Sequence, residues 1–295
     1  MLAYLVAVAI IFGIYALLTL SLDLHYGFTG LINFGHVGFF AIGAYTAAIC
    51  SLHGLPYVVG FGAAATLAAL AALPLGLLAL RLREDYLAIV TLAFSEIVRV
   101  VITAEEWLTR GVQGLPAIPR PFAALGIGRN AEFAYLGLVT ASVLATVILI
   151  RHLVRSPFGR LIQAIRDDEV AVTALGKVPA VAKIQVFMIG AAIAGVAGAL
   201  YAHYMNYIVP DQFIPLVTFY VWMAMIMGGT GRIGGALLGT AVLIAILEGS
   251  RLIRDWFPGV LQVEMASLRL ALVGLLLVVF VLYRPQGLLA QRHEP

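Results

Sequence analysis

Long apolar runs alternate with short polar stretches along this chain. Most of the apolar runs are about 20 residues long, which is the length that a helix needs to cross the hydrocarbon core of a membrane. The pattern predicts spans at 2–22, 34–52, 56–80, 86–103, 132–150, 183–208, 216–229, 234–250 and 268–283. These runs lack the strict alternation that is typical of a transmembrane β-barrel. We therefore expect an all-α, polytopic transmembrane helical bundle that forms a single domain over residues 1–295.

Two of the predicted spans are irregular. Span 34–52 begins among polar residues and glycines, and span 216–229 is short and ends in a glycine cluster. Non-helical backbone at membrane depth is tolerated only where protein or a water-filled cavity satisfies its polar groups. We expect these spans to be broken or re-entrant, and therefore a total of about eight to ten crossings.

Composition and charge agree with a membrane location. Hydrophobic residues make up 62% of the chain and charged residues 11%, whereas a soluble domain carries about 25% charged residues. The net charge is +3, but the basic residues stand beside apolar runs, where they orient a protein in the bilayer rather than bind nucleic acid. With nine spans, most of them fall on one side. The positive-inside rule makes that side cytoplasmic, and it also holds the C-terminus.

The polar stretch 156–182 has the pattern of an amphipathic helix outside the membrane, because apolar residues recur in it at helical spacing between charged ones. Ser156 and Pro157 favour a helix start, and Gly176 and Pro179 favour a stop, so we expect one short helix or two. The apolar face needs a partner, which is a lipid surface, the protein's own core or a soluble subunit with a groove. Three consecutive acidic residues weaken the lipid interpretation, because anionic lipids repel them.

Polar side chains within the predicted spans are further candidates, because burying charge in lipid is costly. Glu96 and Arg99 lie three residues apart on one helical face and are expected to pair. Residues 33–45 begin the broken second span, and we expect them to line a solute route at the interface with a partner permease. The route candidates are Asn33, Gly35, His36, Gly38, Gly43 and Tyr45. The alternative is a satisfied kink in which the glycines only pack helices.

Small residues recur every four positions at the start of a later span. They are Gly231, Gly235 and Gly239. Such spacing lets helices approach closely in lipid, where packing must replace the hydrophobic effect. Helix packing is the expected role, and sliding of the helices during transport is the functional alternative.

The sequence lacks the motifs of enzymes and metal sites. It has no HExxH pattern, no GxxxxGK[ST] phosphate-binding loop and only one cysteine, Cys50. We expect no catalytic residue, no metal and no cofactor in this chain, so that if transport uses ATP, another chain must hydrolyse it. A secondary transporter is an alternative, but it would show internal halves with matched broken helices, and the sequence has no convincing repeat. An intramembrane enzyme would need a catalytic set that the sequence lacks.

Six segments of the sequence resemble those of a known protein family. They are GLINFGHVGFFAIGAYTA (30–47), RLREDYLAIVTLAFSEIVR (81–99), SPFGRLIQAIRDDEVAVTALGKVPAVAK (156–183), AGVAGALYAHYMNYIVPDQF (194–213), MGGTGRIGGALLG (227–239) and YRPQGLL (283–289). In these segments, and in their order along nearly the whole chain, the sequence resembles the LivM-type permease subunits of branched-chain amino-acid ABC importers.

The resemblance implies a heteromeric importer in the bacterial inner membrane. Its other parts would be a LivH-like second permease, two cytoplasmic ATPases that bind ATP and Mg²⁺, and a periplasmic binding protein that delivers leucine, isoleucine or valine. The family's cytoplasmic ATPase-coupling element corresponds to Arg160, Arg166, Asp167, Asp168, Glu169, Leu175 and Gly176. The apolar face of the same segment adds Ile165 as a predicted ATPase contact. Urea, short amides and other small carboxylates are alternative solutes within the family, because the binding protein sets much of the specificity.

Overall fold

The computed structural model describes residues 2–79, 84–122 and 129–254, together with 274, 275, 278, 282 and 287–289. Within these residues the regular structure is helical, and an isolated β-bridge joins two loops. The α-helices are α1 (Leu2–His25), α2 (His36–Leu52), α3 (Tyr57–Leu78), α4 (Glu84–Ala104), α5 (Glu106–Thr109), α6 (Arg129–Arg155), α7 (Pro157–Asp167), α8 (Glu169–Ala174), α9 (Pro179–Met205), α10 (Pro215–Gly228) and α11 (Ile233–Arg254). Short 3₁₀ turns occur at Gly111–Gln113 and Pro210–Gln212.

The predicted bundle of membrane-spanning helices is confirmed. Six of the described helices are long and apolar enough to cross a membrane, namely α1, α3, α4, α6, α9 and α10 with its preceding turn. Two shorter apolar helices, α2 and the first part of α11, correspond to two further predicted spans. The predicted span 268–283 lies outside the described residues, apart from 274, 275, 278 and 282.

Irregular backbone precedes the second span, as the polar residues and glycines at its start predict, but α2 and α10 are each continuous helices, so neither is broken within its length. Helix α1 ends at His25, the backbone is turned or irregular over residues 26–35, and α2 begins only at His36. Gly30 has a φ of +76°, a conformation that glycine adopts without steric cost. This segment must find partners for its backbone groups inside the protein.

The helices divide into central and peripheral ones. Every residue of α1 from 16 to 25 is buried, so this half of the helix is surrounded by protein. Helix α9 is also central and packs against α1, α2 and α3. By contrast, at most 28% of the most apolar stretch of α3, α4 or α6 is buried, and many of the exposed side chains on these helices are apolar. Such a surface suits contact with lipid or with another membrane subunit.

Three connecting segments meet at one end of the bundle: 26–35, 156–178 and 229–232. The Arg166 guanidinium of the second segment donates to the Gly27 carbonyl of the first across 2.7 Å. Because the basic residues of 156–178 lie here, we call this the basic end. We call residues 156–178 the amphipathic segment.

The opposite end of the bundle carries the start of α1 and the loops that follow α4 and α9. The Tyr4 hydroxyl donates to the Glu248 carboxylate of α11 across 3.3 Å. The two loops meet in the antiparallel bridge between Leu115 and Ile208. Consecutive long helices therefore run in alternating directions, as expected of successive membrane crossings.

Small residues on α9 bring the central backbones close together. A Cβ added to Gly195 would collide with the backbone of α3 at Ala64, and one added to Gly198 would collide with the carbonyl of Phe40 on α2. Lipid tails are as apolar as the side chains of these helices, so moving the side chains out of lipid provides little driving force. Close packing and dispersion contacts must therefore hold the helices together.

Helices α10 and α11 approach each other in the same way. A Cβ on Gly239 would collide with the Ala224 carbonyl, and one on Gly235 would collide with the turn that follows α10. These two glycines pack helices, as their spacing indicates. Gly231 differs, because it lies in the turn before α11 with a φ of +73° and faces the backbone of Gly27.

Replacing Gly198 with Ala should destabilise the bundle by about 1–3 kcal/mol, because the added methyl overpacks a backbone contact. Gly62→Ala is the matched control, since a Cβ there meets nothing within 4 Å. Thermal unfolding of the purified protein in detergent measures the difference. Equal melting temperatures for the two variants would contradict the close approach of α2 and α9.

Candidate functional site

The amphipathic segment folds as two helices, each capped by a side chain. Ser156 accepts from the Gly159 N–H across 3.2 Å and caps α7, as its position predicts. Asp168 ends α7 and caps α8, because its Oδ1 accepts from the N–H groups of Val170 at 2.9 Å and Ala171 at 3.0 Å. The capping role of Asp168 is not among the sequence predictions. The sequence feature that could have predicted this cap is an aspartate that directly precedes a stretch with apolar residues at helical spacing.

The inner face of the amphipathic segment packs on the chain itself. Ile162, Ile165 and Val172 expose 5% of their surface or less and belong to the main apolar core. The predicted contact of Ile165 with an ATPase is therefore wrong, because its side chain is buried in this chain's own core. Because α7 lies against the ends of the bundle helices, its apolar face is covered by this chain's own core.

The outer face of the segment is exposed. Val170, Leu175 and Val178 expose 79%, 81% and 64% of their surface. The other residues assigned to coupling all lie on the exposed side, namely Arg160, Arg166, Asp167, Asp168, Glu169, Leu175 and Gly176. Apolar side chains in a charged surround are typical of a protein–protein contact.

Ion pairs and hydrogen bonds hold the segment in place. Glu169 of α8 pairs with Lys183 of α9 at 2.7 Å. Arg166 pairs with the neighbouring Asp167 at 2.9 Å and donates to the Gly27 carbonyl at 2.7 Å. The segment is therefore attached both to a central helix and to the irregular residues that follow α1.

A buried carboxylate lies beside this attachment. Asp23 is 1% exposed, and its Oδ1 accepts from the Gly231 N–H across 2.7 Å. Its Oδ2 is buried and has no hydrogen-bond partner among the described residues. Asp23 ties the end of α1 to the turn between α10 and α11. Asp23 is not among the site residues predicted from the sequence. An acidic residue within an apolar run could have identified it, because burying a charge in lipid costs free energy and marks the residue as a functional candidate.

A cluster of polar side chains surrounds the irregular segment, and we call it the polar hub. It consists of Ser21, His25, Asn33 and His36. The Asn33 Oδ1 accepts from the Gly35 N–H at 2.9 Å, and its Nδ2 lies 3.2 Å from His25 Nδ1 and 3.4 Å from His36 Nδ1. Trp222 of α10 donates to the Asn33 carbonyl at 3.0 Å. Side chains thus satisfy backbone groups that have no helical partner.

Hydroxyl groups extend the hub to neighbouring helices. Ser21 donates to the Gly190 carbonyl at 2.7 Å and lies 3.1 Å from His36 Nε2. The Thr91 hydroxyl accepts from the Phe34 N–H at 3.0 Å. Helices α1, α2, α4, α9 and α10 therefore share one hydrogen-bonded cluster.

The residues predicted to line a solute route all lie inside the chain. Asn33, Gly35, His36, Gly38, Gly43 and Tyr45 are buried. A Cβ on Gly35 would collide with the Thr91 carbonyl, and one on Gly43 with the backbone of Gly195. In this structure, the polar groups of the kink before α2 are hydrogen-bonded within the chain, and Gly35 and Gly43 pack against the backbones of neighbouring helices. This environment agrees with the alternative in which the glycines only pack helices.

The intramembrane ion pair forms at the predicted spacing. Arg99 pairs with Glu96 at 2.7 Å, and the two side chains are about one-third exposed. A second carboxylate, Asp211, lies 3.9 Å from Arg99. The contact between Arg99 and Asp211 links α4 to the turn before α10.

Cavities open at both ends of the bundle. At the basic end, a cavity of about 490 Å³ lies beside the amphipathic segment and is lined by Asp85, Arg166, Glu169 and Lys183 among others. At the opposite end, a cavity of about 440 Å³ lies between α1, α9, α10 and α11. Its lining includes Tyr4, Tyr15, Tyr201, Tyr204 and Tyr220. We call it the tyrosine cleft.

Repeated long apolar helices that pack into one bundle define this chain as a multi-pass membrane protein. The family described as branched-chain amino acid transport system / permease component matches residues 4–281. This chain belongs to that family.

Curated relatives extend the comparison. The chain is 34% identical to the high-affinity branched-chain amino acid transport system permease protein LivM of Escherichia coli strain K12, over 96% of this chain and 69% of that protein. It is 28% identical to a probable LivM of Methanocaldococcus jannaschii, over 95% and 92%. It is also 27% identical to the Escherichia coli K12 permease protein LivH, over 78% and 79%. No solved structure matches.

Asn33→Ala should destabilise the protein by about 1–3 kcal/mol, because it leaves the buried Gly35 N–H without its acceptor. Asn130→Ala is the control, since Asn130 is exposed at the start of α6, and we expect a change within about 0.5 kcal/mol. Thermal unfolding in detergent compares the two variants. A normal melting temperature combined with lost transport would instead support a solute contact at Asn33.

Proposed function

We propose that this chain is one permease subunit of an ATP-driven importer for leucine, isoleucine and valine, and that it forms half of the translocation path. The observation that carries the proposal is the family match over residues 4–281, together with 34% identity to a LivM protein along 96% of the chain. The membrane-spanning helices supply the embedded part of such a subunit.

The second half of the path is a LivH-like permease. The support is that LivH proteins, which are named as permeases of the same kind of transport system, are 27% identical to this chain over 78% of its length. Two related permeases can pair through equivalent faces. The exposed apolar surfaces of α3, α4 and α6 provide area for such a contact and for lipid.

Two cytoplasmic ATPases power the importer and bind the ATP and Mg²⁺. The sequence of this chain has no phosphate-binding loop, and the positive-inside rule places the basic end in the cytoplasm. The C-terminus lies on the same side of the bacterial inner membrane. The docking surface is the exposed face of the amphipathic segment around Val170 and Leu175. A periplasmic binding protein delivers the solute to the opposite end.

Movement at the docking surface reaches the bundle through defined contacts. Glu169 and Lys183 couple α8 to α9, and Arg166 couples α7 to the irregular segment at Gly27. That segment continues into the polar hub, whose hydrogen bonds reach α1, α2, α4, α9 and α10. Movement of the docked ATPase therefore displaces the amphipathic segment and shifts the basic ends of several helices together. Packed cores move in this way because they shift as units and do not deform continuously.

Replacing Val170 and Leu175 together with Asp should abolish binding of the ATPase, because charges without partners would be buried in the contact. Co-purification of the ATPase with the tagged permease pair measures binding. Val112→Asp is the control, since Val112 is 70% exposed at the opposite end. Undiminished ATPase binding by the double variant would contradict the proposed docking surface.

The chain alone should not accumulate solute. In liposomes that contain only this subunit and ATP, we expect no uptake of radiolabelled leucine, because half of the path and the ATPases are missing. The complete importer with its binding protein should accumulate leucine, isoleucine and valine but not urea or acetamide. Saturable, ATP-independent uptake by the single subunit would indicate secondary transport instead.

A further inference from the structure

Residues 287–289 contact the turn between α10 and α11, and we call them the C-terminal clip. They are the described part of the motif YRPQGLL (283–289), to which the proposed function gives no role. We infer, on the basis of the proposed function, that the clip positions this turn so that movement of the amphipathic segment reaches α10 and α11.

The clip supplies hydrogen bonds that the end of α10 cannot find within the helix. The last carbonyls of a helix have no intrahelical N–H, and in a membrane protein they need another donor inside the protein. The Leu288 N–H donates to the Met227 carbonyl across 2.9 Å, and the Leu289 N–H donates to the Gly228 carbonyl across 3.3 Å. The clip therefore caps α10, although it comes from the C-terminal part of the chain.

A close backbone contact fixes the clip against the turn. Gly287 is buried with a φ of +78°, and Gly229 has a φ of +106°, conformations that glycine adopts without steric cost. A Cβ added to Gly287 would collide with the backbone of Gly229. At the other end of the turn, the Arg232 guanidinium donates to the Leu289 carbonyl. The clip is thus attached to the turn at both of its ends.

The middle of the same turn faces the residues through which the amphipathic segment contacts the bundle. The Gly231 N–H donates to Asp23 of α1 across 2.7 Å. A Cβ on Gly231 would lie 2.9 Å from the Gly27 carbonyl oxygen and 3.4 Å from Nη1 of Arg166. Arg166 donates to that same carbonyl. The turn therefore lies between the clip and the attachment of the amphipathic segment.

Both attachments are needed if the turn is to follow a movement of the amphipathic segment. Gly229 and Gly231 both have a positive φ, and glycine restricts the backbone less than any other residue. Without the clip, the carbonyls of Met227 and Gly228 would lose their donors, and the turn would be held by Asp23 alone. Movement of the amphipathic segment would then bend the turn and leave α10 and α11 in place. ATP hydrolysis would continue, but less solute would move for each ATP.

The test uses the complete importer in proteoliposomes with radiolabelled leucine and an excess of loaded binding protein. The measured quantity is the amount of leucine accumulated per ATP hydrolysed. Gly287→Ala forces the clip away from Gly229, and Arg232→Gln removes the donor to the Leu289 carbonyl. Each variant should lower the ratio about threefold or more, as expected when a contact that carries coupling is lost. Stimulation of ATP hydrolysis by the binding protein should stay close to that of the wild-type complex, because the ATPase docking surface is unchanged.

Two matched variants serve as controls. Gly54→Ala is matched to Gly287→Ala, because Gly54 has a φ of +76° but a Cβ there meets nothing within 4 Å. Arg151→Gln is matched to Arg232→Gln, because Arg151 is exposed in the last turns of α6 at the basic end. Both controls should keep the wild-type ratio. Melting temperatures of the four complexes report whether each is folded.

A cross-link distinguishes positioning of the turn from a general loss of stability. A Cβ on Gly234 of α11 would lie 3.5 Å from Cδ1 of Leu289, so a short bifunctional thiol reagent can join Gly234→Cys to Leu289→Cys. Cys50 is first replaced with Ala, since it is a free cysteine. In the Arg232→Gln background the cross-link should restore the wild-type ratio, because it reattaches the clip to the start of α11.

The outcomes separate the role of the clip from the proposed function. Folded clip variants with the wild-type ratio would overturn this role and leave the proposed function standing. A cross-linked Arg232→Gln complex that stays uncoupled would also overturn it, as would a parallel loss of uptake and ATP hydrolysis, which indicates a structural role only. A wild-type importer that accumulates no leucine would instead overturn the proposed function.

Discussion

Residues 26–35 place irregular backbone inside a bundle of membrane-spanning helices, and the rest of the structure depends on how its polar groups are satisfied. In the hydrocarbon region no water is available, and each unpaired N–H or C=O costs several kcal/mol. The Asn33 side chain, the Trp222 indole and the Thr91 hydroxyl supply the missing partners. Thr218 adds another by accepting from the Val37 N–H at 3.0 Å. These partners come from separate helices, so satisfying one segment fixes the relative positions of several.

The same constraint connects the amphipathic segment to the membrane-embedded core. Gly27 belongs to the irregular segment and offers its carbonyl to Arg166, because no helical N–H uses it. Asp23 fills the corresponding role for the turn before α11 through Gly231. A regular helix in place of residues 26–35 would have used these groups internally. The irregular backbone is therefore what makes a direct contact between the amphipathic segment and the bundle possible.

Close packing is the second source of cohesion. Leucines on α1 are buried throughout its second half, but burying them from lipid provides little driving force. The contacts at Gly195, Gly198 and Gly239 bring backbones together at distances that no larger residue permits. Dispersion over many atoms then stabilises the bundle. The peripheral helices keep apolar surfaces that a partner subunit and lipid can cover.

Local patterns in the sequence were sufficient to predict the helices and the irregular backbone before His36. They also predicted the Ser156 cap, the pairing of Glu96 with Arg99 and the packing role of Gly239. Each of these depends on membrane thickness or on neighbours within one or two helical turns, so a short window of sequence contains the relevant physics. The placement of Ile165 and Leu175 could not be predicted in this way. Both are apolar and lie at helical spacing, yet Ile165 is 4% exposed and Leu175 is 81% exposed.

What the sequence by itself determined is therefore the class of protein, the identity of its helices and the location of its amphipathic segment. Only the tertiary structure decided which side of that segment is free, because Asp168 redirects the chain between α7 and α8 and the bundle covers one face. Only the tertiary structure revealed the contacts of Asp23 with Gly231 and of Tyr4 with Glu248, whose partners are 208 and 244 residues apart. Contacts at such separations are set by how whole helices pack, and no local pattern of residues encodes them.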